Sequence, residues 1–318
     1  MVSYRVGNVR IPVVSAATRP MTGAMLTCVA LAKAARGCLH GRGSPESLGN
    51  GRAVAPFAHR VVFTEGEDGS AGSPRCVADD PESWLRLLMA TGARDAWFVH
   101  EVAGDRAVPE QVAAAFANAG GSWGVHVRRD DSADVWIPQM RYAAAEDPGR
   151  SSWWRRTFFP RRAARDIRPW QVTFTRFPLQ GAAATMIPRA DLPACSSRLR
   201  DSLVQNREFA RTWRLKPWAS HFGKALGRLD GEPASRTDGS SVGPRGVIDD
   251  AAERLLEAAA MAWCFGGMGT WNDIHVDDRV GQEKQFSLAA ELYEAVVDAV
   301  QQASWPPATK SRLGRADL

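Results

Sequence analysis

Lysine is scarce in this chain of 318 residues: only Lys33, Lys216, Lys224, Lys284 and Lys310 accompany 35 arginines, within a formal net charge of +5. With alanine and glycine abundant alongside, that skew follows the codon usage of a GC-rich genome before it signals a polyanion. Only local clustering of the charge could therefore carry a nucleic-acid partner. Cysteine is also sparse. Cys28, Cys38, Cys76, Cys195 and Cys264 are odd in number and scattered, with no Cys-x-x-Cys pair and no histidine at zinc spacing. That excludes a disulfide framework and a zinc module and predicts reduced thiols in a cytoplasmic protein. No run approaches the ~20 apolar residues of a membrane span. Met21–Ala32, preceded by Arg10 and Arg19, has the outline of a signal peptide, but Thr22, Gly23 and Thr27 interrupt its apolar stretch. Catalytic motifs are missing as well. There is no Gly-x-Ser-x-Gly elbow and no His-Glu-x-x-His helix, so no activity can be named and no cofactor is implied.

Aromatics are nearly absent from the first 80 residues, which hold one tyrosine and two phenylalanines, whereas all twelve tryptophans lie at or after Trp84. The stretch from Gly37 to Arg52 is rich in Gly, Ser and Arg, and Glu65 to Ser73 is a Gly/Ser/Asp run too polar to order itself by burial. The composition predicts that residues 1–78 are a poorly ordered or mis-assigned N-terminal extension. An α+β domain is then expected over 79–305, with a flexible tail over 306–318.

Within that domain, Asp80-Pro81-Glu82 opens a helix that ends at Gly92. Asp95–Val102 reads as a strand and Pro109–Ala119 as a helix. Trp123–Arg129 and Val135–Tyr142 alternate with period two about the turn Asp130-Asp131-Ser132, which predicts a β-hairpin. Trp170–Phe177 supplies another strand. Helices are expected over Ser196–Arg214 and Pro217–Leu229. Asp249 or Asp250 caps a further helix through Trp263, and Phe286–Ala303 forms the last one before Pro306-Pro307. The expected architecture is a small antiparallel sheet of three or four strands, flanked by helices and closed by a C-terminal helical pair.

Between those last two helices lies Phe265-Gly266-Gly267-Met268-Gly269-Thr270-Trp271-Asn272-Asp273. Gly266, Gly267 and Gly269 could form an anion nest. They follow a helix, however, with no strand feeding them and no Gly-Lys-Ser/Thr, so the better reading is a structural joint with Trp271 packed back on the helix pair. This block resembles the C-terminal end of an uncharacterised bacterial protein family that finishes with a Phe-Gly-Gly-Met-Gly-Ser-Trp-Asn-Asp-like signature, with Thr270 standing where serine is usual. The resemblance covers about 45 residues and implies no activity. Just beyond it Asp273, His275 and Asp277 alternate, so an extended backbone would set them on one face as a metal site. A metal-dependent hydrolase there is the least supported function.

The sharpest candidate surface is the insertion Ser151–Trp170. It interleaves Trp153, Trp154, Phe158, Phe159 and Trp170 with Arg155, Arg156, Arg161, Arg162, Arg165 and Arg168. Arginine and tryptophan dominate protein–protein hot spots, and the same mixture suits single-stranded nucleic acid or an anionic membrane surface. The expected function is a non-enzymatic bacterial protein-interaction module, of a toxin-neutralising or similar accessory kind. A nucleic-acid or anionic-membrane binder acting through the same segment is the alternative. Cys195 or Cys264 paired with a histidine, or His100 meeting His126 across a sheet, would be the arrangements for catalysis.

Overall fold

The computed structural model describes residues 2–6, 9–13, 21–48, 54–55, 58–66, 74–101, 122–142, 170–179, 187–232, 242–265 and 270–306. Among them, Val2–Val6 (β1) and Val9–Val13 (β2) pair antiparallel as a separate ribbon. The main sheet contains Ala58–Glu65 (β3), Arg75–Ala78 (β4), Asp95–Glu101 (β5), Ser122–Arg128 (β6), Ala133–Tyr142 (β7) and Trp170–Leu179 (β8), in the order β4-β3-β8-β7-β6-β5. The described helices are Met21–Leu39 (α1), Pro81–Ala90 (α2), Leu192–Thr212 (α3), Lys216–Leu229 (α4), Asp250–Ala262 (α5) and Arg279–Ser304 (α6). The class is α+β and the sheet is open. It is larger than expected and mixed, because β3 runs parallel to β8 while every other pair is antiparallel.

Local chemistry accounts for the element boundaries. Asp80 caps α2 by accepting from the Ser83 amide at 2.7 Å, with Pro81 at the first helical position, where its missing N–H costs nothing. Asp249 caps α5 through the Ala252 amide at 2.8 Å. The turn expected at Asp130-Asp131-Ser132 joins β6 to β7, closed by Arg129 N donating to Ser132 O at 2.7 Å. Where the strands crowd, glycine is required: a Cβ on Gly124 would stand 2.9 Å from a Val135 methyl carbon.

Among the described residues before 79, α1 and β3 are no extension to the fold; they are part of its core. Helix α1 is buried almost throughout, with Met25, Cys28, Val29, Leu31 and Ala35 fully enclosed, and it packs on β5, β6 and β7. A helix buried on nearly every side has no solvent face to show, which is why α1 reads in sequence as a failed signal peptide rather than an amphipathic helix. Strand β3 lies inside the sheet between β4 and β8. Its Phe63 stacks on Trp84 of α2 at 4.8 Å and on Phe174 of β8 at 5.3 Å, and Trp136 of β7 meets it edge-on at 5.8 Å. Removing one such ring from a filled core costs on the order of 3–5 kcal/mol, so β3 is a structural necessity. Residues 307–318, expected as a tail, and Pro109–Ala119, expected as a helix, lie outside the described residues.

The C-terminal helices form a larger body than a pair. Helix α6 packs on α3 and α5, and α4 bridges α3 and α5. A network of charge closes the opposite end of the sheet. Asp134, with its side chain 2 % exposed, pairs with Arg129 and sits 3.0 Å from Arg176 Nε. Arg176 also reaches Glu65 at 2.6 Å, tying β7, β8 and β3 together.

Candidate functional site

Trp271 is the described anchor of the Gly-rich joint, and Gly266, Gly267 and Gly269 lie outside the described residues. Trp271 is fully buried, as expected, but its neighbours differ from the expected helix pair. It is edge-on to Phe209 of α3 at 6.1 Å and to Phe222 of α4 at 5.0 Å, with Trp218 of α4 at 5.3 Å. The contribution of α6 is Gln285, whose amide donates to Trp271 O at 2.7 Å. Trp271 is therefore packed into α3 and α4 and has a structural role.

Asp273, His275 and Asp277 do not converge. All three are exposed, and no group of three or more His, Cys, Asp or Glu placed to share a metal ion occurs among the described residues. Asp273 is engaged locally, accepting from the Thr270 amide at 3.3 Å to cap the short 3₁₀ turn Trp271–Asp273. Asp278, beside them in sequence, caps α6 by accepting from the Gly281 amide at 2.6 Å. Of the alternating residues, Asp273 thus serves as a local cap, and the neighbouring Asp278 is a helix N-cap.

The histidines and thiols proposed for catalysis are held in other roles. The register of β5 with β6 pairs Trp97 with His126 and His100 with Trp123, so the two imidazoles face opposite sides of the sheet and cannot meet. Each stacks on its partner indole with ring centres 4.2 Å apart. Burial raises the thiol pKa of Cys264 well above its ordinary value and does the same for Cys28. Cys195 is pushed up to about 12 by burial and by the Asp298 carboxylate 3.5 Å from its sulfur. A nucleophilic cysteine needs the reverse, a cationic neighbour and a depressed pKa. His221 in α4 is pulled below its ordinary value, chiefly by burial, and is held neutral against the helix layer.

The insertion Ser151–Trp170 lies outside the described residues except for Trp170, so Trp153, Trp154, Arg155, Arg156, Phe158, Phe159, Arg161, Arg162 and Arg165 carry no structural statement. Trp170 opens β8, is half-buried and packs against the main core.

Sequence reasoning missed a cavity of about 300 Å³ where the end of α1 meets the start of α5 and the end of α6. Its polar wall is Arg36, His40, Arg42 and Asp249, and its apolar wall includes Leu192, Val247, Ile248, Ala252, Ala303 and Trp305. Arg36 is buried and donates to Ser304 O at 3.2 Å, with Asp95 Oδ1 3.7 Å from its Nε. His40 Nε2 stands 3.3 Å from the same Asp95 oxygen. Arg42 reaches Val247 O at 3.3 Å. The loop that forms the outer wall is strapped to α1, since Lys33 donates to Val242 O at 2.7 Å and Gly243, at φ +70°, lies so close that a Cβ would be 2.9 Å from Ala30 Cα. Three basic residues at the end of α1 were visible in the sequence, but an element taken as an extension could not be given a site. The chain matches no family model, no curated protein and no solved structure.

Proposed function

We propose that the protein acts by stoichiometric binding, as a non-enzymatic protein-interaction module of a bacterial cytoplasm in a toxin-neutralising or similar accessory role. The Arg/Trp-rich insertion 151–170 is its contact segment. The supporting observation is the engagement of the candidate catalytic groups: Cys195, Cys264, His100, His126 and Asp273 each serve packing or capping. The insertion offers recognition chemistry, namely indole and phenyl faces interleaved with guanidinium groups. That mixture supplies large contact area and charge-assisted hydrogen bonds to carboxylates.

The test is in-cell crosslinking followed by mass spectrometry, comparing the natural chain with a variant in which Trp153, Trp154, Arg155 and Arg156 are all alanine. The reading predicts one protein recovered in near-equal amount with the natural chain and lost with the variant, at unchanged melting temperature. Tight binding to oligonucleotides or anionic vesicles instead, falling steeply with salt and abolished in the same variant, would overturn it in favour of a polyanion binder. Equal recovery with both proteins would acquit the insertion and overturn its assignment.

A further inference from the structure

We propose that the cavity between α1, α5 and α6 is a binding site for a small organic acid, its carboxylate held by Arg36 and Arg42 and its apolar body lying against Leu192, Ala252 and Trp305. The cavity's volume, about 300 Å³, falls at the lower end of the roughly 300–1,000 Å³ usual for small-molecule pockets. Its lining has the make-up such pockets share, a mostly apolar wall with a few convergent polar groups.

Charge selects the ligand class. Two guanidinium groups and one imidazole line the cavity against a single carboxylate, Asp249, and one oxygen of that carboxylate is engaged by the Ala252 amide at 2.8 Å. Asp95 faces Arg36 from behind at 3.7 Å, a distance at which it balances charge without a hydrogen bond. Among the described residues Arg42 has a carbonyl as its hydrogen-bond partner and no carboxylate within 4.0 Å. The two arginines also repel each other, Arg42 acting with burial to pull down the pKa of Arg36, so an anion between them relieves both.

Donor capacity points the same way. Arg36 makes one guanidinium hydrogen bond, to Ser304 O, among the described residues. The indole Nε1 of Trp305 is buried with no hydrogen-bond partner. A buried donor left without an acceptor is costly, and a ligand rich in acceptor oxygens removes that cost. A bare oxyanion would satisfy the arginines and leave the apolar wall wet, whereas an organic acid covers both halves of the lining.

Calorimetric titration of the full chain tests this with benzoate and 3-phenylpropanoate as probes, benzamide as the neutral counterpart and inorganic phosphate as the anion without an apolar body. At least one carboxylate is expected to bind one to one, with benzamide at least about tenfold weaker for want of the charge-assisted contacts and phosphate at least about tenfold weaker for want of the apolar contact. Arg42→Gln changes an exposed residue and Trp305→Phe keeps an aromatic ring while removing the N–H donor. Each should weaken carboxylate binding about tenfold at unchanged melting temperature. Failure of both carboxylates to saturate, phosphate binding as tightly as benzoate, or full affinity retained in Arg42→Gln would each overturn the assignment.

Discussion

Replacing Lys33 by Met and Glu253 by Gln, singly and together, probes the link between α1 and α5 through its most buried charge. The Lys33 ammonium donates to both Glu253 oxygens, at 2.9 and 2.7 Å, and to Val242 O at 2.7 Å. The Lys33 side chain is 1 % exposed and that of Glu253 15 %, so the two losses are unequal. Glu253→Gln leaves a cation that water cannot reach, at a cost on the order of 3–5 kcal/mol. Lys33→Met removes that cation, leaves a carboxylate that can still recruit water, and strips Val242 O of its donor for about 1–3 kcal/mol. The double variant should resemble Lys33→Met, giving a coupling equal in size to the Glu253→Gln loss, on the order of 3–5 kcal/mol. Against a total stability of about 5–15 kcal/mol, these changes are easily read in urea unfolding followed by far-UV circular dichroism. The pH dependence provides a second check. Burial lowers the Lys33 pKa from 10.5 and Glu253 opposes that shift, so Glu253→Gln drops it further. The native state then releases this proton before the unfolded chain does, and the lost stability returns as pH rises from the folded pKa toward 10.5. Additive single variants, or a Glu253→Gln midpoint equal to that of the natural chain, would refute the reasoning.

Trp271→Ala should cost about 3–5 kcal/mol, and Trp271→Phe clearly less, in the same urea assay, because the indole is fully enclosed by Phe209, Trp218 and Phe222. Ser304→Ala removes the hydroxyl that accepts from the Phe98 amide at 3.2 Å on the edge strand β5, so a loss of about 1–3 kcal/mol and faster exchange at that amide are expected. His221 is held neutral below its ordinary pKa of 6.5, so the unfolded chain takes up its proton first as the solution is acidified. Stability from this group is complete above about pH 6.5 and falls as pH drops toward the folded pKa, and His221→Gln should remove that part of the acid-side slope in thermal melts.

Much of the fold after residue 79 is legible in the chain because its signals are local. Asp80-Pro81, Asp249 and the Asp130-Asp131-Ser132 turn mark α2, α5 and the β6–β7 hairpin through hydrogen bonds spanning three residues, and the structure contains each of them. The elements before residue 79 are not legible in that way. Helix α1 lacks the polar face on which a 3.6-residue period depends, and β3 finds its parallel partner β8 more than 100 residues downstream, a pairing no local pattern encodes. The same reason hid the cavity. Its walls come from residues near 36–42, 190, 247–252 and 302–305, which only the packing of α1 against α5 and α6 brings together. The Asp273, His275, Asp277 alternation misleads in the opposite sense, since period two implies one face only if the backbone is extended. Here Asp273 belongs to a 3₁₀ turn and Asp278 begins α6.

Native-state hydrogen exchange on the full chain, read at the backbone amides of Cys28–Ala35 in α1 and Leu292–Ala299 in α6, tests most directly whether α1 belongs to the centre of the fold. Both sets should exchange through the same global opening, with equal protection and the same response to added urea. Rapid exchange of the α1 amides through a low-energy local opening, with α6 still fully protected, would contradict the account.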